Sequence, residues 1–509
     1  MTALLALAAL AVVWDVFYAG RISHLRRVPR SLAVLSALAG LLVAPALLAA
    51  VTTASIYGGR AVAVIAWLWP VSALLVLAQA LHATASRRVL LSIGIAVTAY
   101  DAVAAATAIT RWLLHVTGGA PGPLLALDAA HATVLGALAG SDALTSPLAM
   151  LVPLLAPAYP ARWRLSRAVR GTVALLAFTL VAATALELPR GVATIRSYQA
   201  WSGDRLSERP AGDFAIGVKL FPDLDGPPPA PAMRSDIPLL DSLDVRAVSI
   251  VLRPGGARNV ALDSLARALE PVRRDSLLVI VSLGWSADDA ERLRADPAEW
   301  LAARMRIVDR VARRLRPDYL DPAHEPYGAG LSALGAQTPT FWRDYLTRAE
   351  ATTRAVNRRI GIAYSAAGYD TADSALYAWA ARGDSPVAAV GFAVVPSFRG
   401  GAGVDARLRA ADRWMRAAGI DTLPPRARKP HWLFRVAAYP VAHGDASQER
   451  TVWRALTWAT ARPAVVGVVV AEPGDYVTTT GLRSASGRLR RVVPTMRRAA
   501  RALREAVAP

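Results

Sequence analysis

The amino-acid sequence predicts two parts: a multi-helix transmembrane region of about six helices, followed by an α/β domain of the (β/α)8 TIM barrel class. Three observations predict this. Long runs without charge fill the first part of the chain, whereas Arg, Asp and Glu crowd the rest. Basic residues collect in alternate loops between the apolar runs. Beyond residue 210, short apolar runs alternate with charged amphipathic segments, the pattern of βαβ units. The expected boundaries are 1–190 for the transmembrane region, 191–210 for a linker and 211–509 for the barrel.

The apolar segments run approximately Leu4–Tyr18, Leu32–Ile56, Ala61–Ala83, Val89–Leu114, Leu124–Ala158 and Thr172–Leu188. Arg21, Arg26, Arg27 and Arg30 mark one inside loop, Arg87 and Arg88 a second, and Arg162, Arg164, Arg167 and Arg170 a third. The alternation fits six spans with the N-terminus outside. The segment Leu124–Ala158 is also long enough for two short spans, which would place the last arginine group outside. Six spans predict a multi-pass protein of the inner (plasma) membrane with the lipid bilayer as a partner. Its C-terminal domain then lies on the periplasmic, extracytoplasmic side. Asp15, Asp101, Asp128, His131 and Asp142 fall in or near the apolar runs, where an ionisable group is costly. No transporter or protease motif accompanies them.

The formal charge of +20 does not read as a nucleic-acid interface. The arginines are scattered through helix-like segments beside acids, as in "RLRADPAEWLAARMRIVDRVARRLR", rather than gathered on one face with aromatics. The chain has no cysteine, which excludes disulfides and thiolate metal sites. No metal or organic cofactor is called for. The sequence leaves the oligomeric state open.

In the C-terminal part the apolar runs that read as buried parallel strands are Phe214–Leu220, Ala247–Leu252, Leu277–Ser282, Tyr319–Asp321, Ile360–Tyr364, Ala388–Val394, Trp432–Val436 and Val465–Val470. Amphipathic helices fall between them at Pro297–Leu315, Thr338–Asn357, Val404–Ala418 and Glu449–Ala461, with Leu489–Val507 closing the domain. A doubly wound sheet would want a glycine-rich phosphate loop after its first strand. "GVKLFPDLDGPPPAP" offers a proline run instead, which cannot open such a helix.

In a barrel of this class the chemistry sits at the C-terminal strand ends. Those ends carry Lys219, Asp223, Arg253, Trp285, Asp321, His324, Glu325, Tyr364, Tyr369, Arg399, Arg435, Tyr439, Glu472 and Asp475. Aromatics stack on sugar rings, while acids and arginines bond hydroxyls, so the set suits a carbohydrate ligand. It holds no His-x-x-x-His or paired-Asp metal pattern and no evident Ser-His-Asp set.

Three stretches then resemble the large clan of retaining (β/α)8 glycoside hydrolases. "PDYLDPAHEPYG" resembles its strand-four Asn-Glu-Pro signature, with Glu325 where the clan has its general acid/base and His324 where Asn is usual. "KPHWLFRVAAYP" resembles strand seven, and "VVVAEPGDY" with "TTTGLRSASGRLRRVVPTMRRA" resembles strand eight and the closing segment. The resemblance covers roughly Phe214 to Ala499. It implies a glycoside hydrolase-like domain with a glycan ligand.

Strand seven departs from the clan. Aligned on Pro430, Trp432 and Pro440, the nucleophile position falls on or next to Arg435, and no acid lies between Lys429 and Val441. Arg stays cationic and cannot attack. One resolution keeps hydrolysis, with Glu325 and Glu472 as the catalytic pair and Asp321 as another acid at hand. A second loses hydrolysis and keeps sugar binding, with Arg435 holding a carboxylate. A third gives the barrel an unrelated reaction. His324, Trp285, Arg435, Tyr364, Tyr439, Asp475 and Asp321 are the candidate substrate-binding residues. The setting expected from topology is a cell-envelope or extracellular glycan, and a non-catalytic glycan sensor is the alternative.

Overall fold

The computed structural model describes residues 68–86, 90–117 and, apart from short gaps, 196–505. The chain divides into two compact units, one containing residues 1–197 and the other most of residues 198–509.

In the first unit two helices are described, α1 (Leu68–Ala85) and α2 (Leu91–Thr117). They pack closely where Gly94 meets Thr84, and the Thr84 and Thr98 hydroxyls bond at 3.0 Å. No helix among the described residues is long and apolar enough to cross a membrane. This corrects the transmembrane region, the inner-membrane localisation and the lipid bilayer as partner. The physical reasons are visible in the two helices that fall on expected spans. Within its described residues α1 includes the buried Gln79, a polar group inside the run. The longer α2 carries the fully buried Asp101, a group that an apolar span avoids. The other four expected spans lie outside the described residues.

The second unit is a closed barrel of eight parallel strands in sequence order. Its strands are β1 (Ala215–Lys219), β2 (Ala247–Leu252), β3 (Leu278–Leu283), β4 (Tyr319–Asp321), β5 (Gly361–Ala366), β6 (Ala389–Val394), β7 (His431–Val436) and β8 (Val465–Val470). Each falls on an expected run. Closure is the parallel pairing of β1 with β8, Ile216 opposite Val468. The outer helices are α3 (Ala230–Leu243), α4 (Asn259–Ala268), α5 (Glu270–Arg274), α6 (Asp289–Ala295), α7 (Pro297–Leu315), α8 (Ala329–Leu334), α9 (Pro339–Val356), α10 (Thr371–Ala380), α11 (Gly400–Ala417), α12 (Asp445–Thr460) and α13 (Val492–Glu505).

Local chemistry sets the helix ends. Asp296 caps α7 by accepting from Glu299 N at 3.0 Å, and Pro297 takes the first turn, where its missing N–H is no loss. Thr338 caps α9 in the same way. The stripe Trp300, Val308, Val311 and Leu315 faces the sheet.

Alternation along the strands divides the side chains into two sets. Ile216, Val218, Val248, Ile250, Val279, Val281, Leu320, Ile362 and Val390 pack outward against the helices. The inward set is apolar at the N-terminal floor, where Ala247, Ile280, Ala363, Ala389 and Val469 surround Trp432. Gly467 makes room for that indole: a Cβ there would lie 2.3 Å from its ring. At the C-terminal mouth the inward positions turn polar, with Lys219, Ser249, Ser282, Asp321 and Ser365 all buried.

Candidate active site at the barrel mouth

Among the described residues, four non-glycine residues with positive φ sit just beyond strand ends at the mouth: Phe221 (60°), Glu325 (48°), Tyr369 (60°) and Glu472 (43°). The other two, Asp244 and Arg316, are ordinary helix C-caps. Left-handed backbone disfavours L side chains, so it persists where the surroundings over-determine it, as at functional sites. Both glutamates singled out from the sequence adopt it.

Glu325 ends a short loop after β4. Its carbonyl accepts from Gly328 N and Gly330 N, both at 2.9 Å. Gly328 is a glycine because a Cβ there would stand 2.7 Å from Ala367 Cβ and 3.1 Å from the Glu325 side chain. The Glu325 carboxylate is nearly buried and meets Arg435 Nη1 at 3.2 Å. His324 Nε2 lies 3.9 Å from the same oxygen, and its Nδ1 lies 3.8 Å from Asp321 Oδ2. Burial would push the Glu325 carboxyl up, but the charges of Arg435 and His324 overcome it and hold it below the usual range. Burial would likewise lower the His324 imidazole, but Glu325 and Asp321 raise it.

Arg435 reaches the mouth through an irregularity in β7. Simple alternation after Trp432 and Phe434 would turn Arg435 outward. The register shifts between Leu433 and Val436 and opposite Phe392/Ala393, as in a bulge, and the extra residue re-aims the side chain.

A second cluster spans β1 and β8. Lys219 Nζ bonds Asp223 Oδ1 at 2.5 Å and Glu472 Oε1 at 3.1 Å, and Arg253 approaches Asp223 at 3.7 Å. Burial would lower the Lys219 ammonium, yet its two acids hold it above its ordinary value. Burial would raise Asp223, and Lys219 instead holds it well below the carboxylate range.

The mouth therefore brings together Glu325, His324, Asp321 and Arg435, and, beside Lys219, Glu472. Other candidates stand elsewhere. Tyr364 points outward into the helix layer, where its hydroxyl bonds Asp373. Asp475 is held by both terminal nitrogens of Arg490, at 2.8 and 2.6 Å, and accepts from Gly481 N. Trp285 donates to His324 O at 2.8 Å and has its face covered by Arg304, so it is a strut of the loop rather than an open stacking platform. Tyr439 lies outside the described residues. Sequence reasoning passed over the Lys219–Asp223 pair as a unit, although both stand at one strand end. It also missed Asp373, which accepts from the backbone N–H groups of Ala367, Gly368 and Tyr369 and so sets the left-handed turn at Tyr369.

No family model and no curated protein matches the chain. Among solved structures it is similar to a GH5_18 protein from Bifidobacterium longum subsp. longum, at 16% identity over 58% of this chain and 81% of that chain, with a TM-score of 0.46. It is also similar to a GH5_18 protein from Streptomyces cattleya solved with Manb1-4GlcNAc, at 18% identity over 58% and 82%, with a TM-score of 0.43. A third is a beta-glucuronidase from an uncultured Clostridium, at 12% identity over 58% of this chain, with a TM-score of 0.39. The chain spans about half of that glucuronidase, 53%, and 34% of one from Bacteroides uniformis. These neighbours are glycoside hydrolases.

Proposed function

We propose that this chain is a glycoside hydrolase-like barrel whose mouth binds a glycan through Glu325, His324, Arg435 and Glu472, and that its residues are set for recognition rather than for double displacement. The observation that carries the reading is the 3.2 Å pair between Arg435 and Glu325. A retaining hydrolase holds two carboxylates about 5 Å apart, one of them protonated to serve the leaving group. By the strand-seven resemblance, a permanent cation, Arg435, stands on or next to the position of the attacking group. Glu325 is held towards its ionised form by Arg435 and His324, the wrong state for a general acid. The same groups suit binding. The carboxylates accept from sugar hydroxyls, while the guanidinium and ammonium donate to hydroxyls or to a sugar carboxylate.

A second reading keeps hydrolysis, with Glu325 as acid and Glu472 as its partner. It is favoured by the left-handed backbone that these two glutamates share. A ligand that draws Arg435 away from Glu325 would free the carboxyl to take up a proton.

The test is a screen of the full chain against neutral and uronate-bearing glycans, scored for binding and for released sugar, beside Glu325→Gln and Arg435→Ala. Binding without turnover, weakened at least tenfold in Arg435→Ala, is the expected result. Turnover that disappears in Glu325→Gln would overturn it in favour of hydrolysis.

A further inference from the structure

Arg304 lies in the middle of α7, on the same stripe as Trp300, Val308 and Val311, and is 2% exposed. Its neighbours Arg306, Arg313 and Arg314 face solvent, at 60%, 62% and 46% side-chain exposure. A buried cation normally has an acid beside it, because the desolvation of an unpaired charge is severe. Among the described residues the polar partners of Arg304 are instead neutral. Nη1 donates to Gly284 O at 2.9 Å, and Nη2 to Pro322 O at 3.2 Å and Leu283 O at 3.4 Å. Nε donates to Tyr345 Oη at 3.2 Å, and that hydroxyl donates in turn to Pro322 O at 3.0 Å.

Those carbonyls belong to the end of β3 and to the loop that carries His324 and Glu325. The guanidinium also lies 4.5 Å over the Trp285 ring, and Trp285 donates to His324 O. His324 N completes the suspension by donating to Leu283 O at 3.1 Å. We infer that Arg304 is a positioning residue: it clamps the end of β3 to residues 322–325 and, through Trp285, fixes His324 and the left-handed Glu325 at the mouth. The clamp deepens the proposed binding role of the mouth and rests on that reading for its meaning. Its geometry stands apart from any ligand. Lysine cannot replace it, since a point charge lacks the planar fork that reaches three carbonyls at once.

The titration of His324 reads this placement directly. Its ring is faced by Glu325, Asp321, Arg435 and, across the mouth, Asp223. The full chain labelled at histidine gives seven imidazole signals, and His324→Gln assigns the relevant one. In the wild type the expected result is a titration above the ordinary imidazole value, because Glu325 and Asp321 outweigh the burial of the ring. In Arg304→Lys it moves down towards the free value as the imidazole is no longer held at its set distances from Asp321 and Glu325. Trp285→Phe removes the N–H donated to His324 O together with part of the ring that the Arg304 guanidinium covers, and moves it in the same direction should Arg304→Lys fail to fold. Val308→Ala, on the same face of the same helix, lowers the melting temperature but leaves the His324 titration unchanged. An unchanged His324 titration in Trp285→Phe, or in a folded Arg304→Lys whose melting temperature has fallen, would overturn the inference and leave Arg304 a core residue only. The measurement needs no glycan, so it decides the point even if the binding screen is blank.

Discussion

The floor and the mouth of the barrel are built from the same strands with the same alternation, yet they are held together in opposite ways. At the floor the inward positions are small or apolar, and Trp432 fills the space that Gly467 leaves. At the mouth the inward positions are charged, and they hold together by pairing: Glu325 with Arg435, and Asp223 and Glu472 with Lys219. On the floor side the left-handed residues among those described, Asp244 and Arg316, only close helices, while the mouth holds four that cap no helix. The difference teaches where the molecule is optimised for stability and where it is not. Dispersion and burial need no particular partner, whereas a buried charge pair stabilises little over an apolar pair and becomes costly when one member is removed. A charged, strained rim on an apolar base therefore marks the end of the barrel where something is to be bound.

The sharpest way to break the comparison is at the floor. Trp432→Ala removes a fully buried indole that the surrounding strands cannot collapse around. It should cost about 4 kcal/mol, read as a fall in the urea midpoint that is the same at every pH. At the mouth, Arg435→Leu should cost about 3 kcal/mol at neutral pH, because Glu325 is left buried with its hydrogen-bonded cation gone and only His324 close by. Here the loss depends on pH. Without Arg435 burial is opposed by fewer charges and the Glu325 carboxyl moves up, so the deficit relative to the wild type shrinks as the pH falls through the raised value. Urea unfolding at two pH values separates the cases. A pH-independent loss in Arg435→Leu would mean that the pair is ordinary packing.

The barrel was legible because its signals are local and repeated. Eight apolar runs, helix caps such as Asp296-Pro297 and the proline run after β1 each point the same way. The pairing of Arg435 with Glu325 was half legible. The alignment reached Arg435, but only the register shift in β7 brings it inward. Tyr364 was misplaced for the converse reason: regular alternation carries it outward, where it bonds Asp373. Arg304 left a trace that was passed over, an arginine in phase with Trp300 and Val308 on an apolar stripe. The N-terminal reading failed because hydropathy alone does not separate a membrane span from a buried helix. Internal polar groups such as Asp101 and Gln79 do, and they weigh against a span in the helices described.

Two histidines sharpen the comparison with smaller effects of opposite sign. At the mouth, His324 is raised by Glu325 and Asp321 despite burial, so its contribution is complete below about 6.5 and is lost as the pH rises through the raised value. At the floor, burial pushes His431 down to about 4. It stays neutral, accepting from Tyr377 Oη at 2.8 Å while its Nδ1–H donates to Lys429 O. Its contribution is therefore complete above about 6.5 and is lost as the pH falls towards 4. The advantage of the wild type over His324→Gln, on the order of 1 kcal/mol, should shrink on going to alkaline pH. That over His431→Gln should shrink on acidification. Parallel slopes for the two variants would show that floor and mouth do not differ electrostatically.

The smallest effect concerns strain that serves no site. Arg316, exposed at the end of α7, adopts φ 41° only to close the helix. Arg316→Gly relieves about 1–2 kcal/mol of left-handed strain but adds roughly 1 kcal/mol of chain entropy to lose on folding, for a net gain of about 0.5 kcal/mol. Glu472→Gly relieves the same strain at the mouth, but it removes one of the two acids from the buried Lys219 and should lose stability instead. A gain in both variants, measured by urea midpoint, would mean that the mouth's left-handed residues are incidental turns like the helix caps.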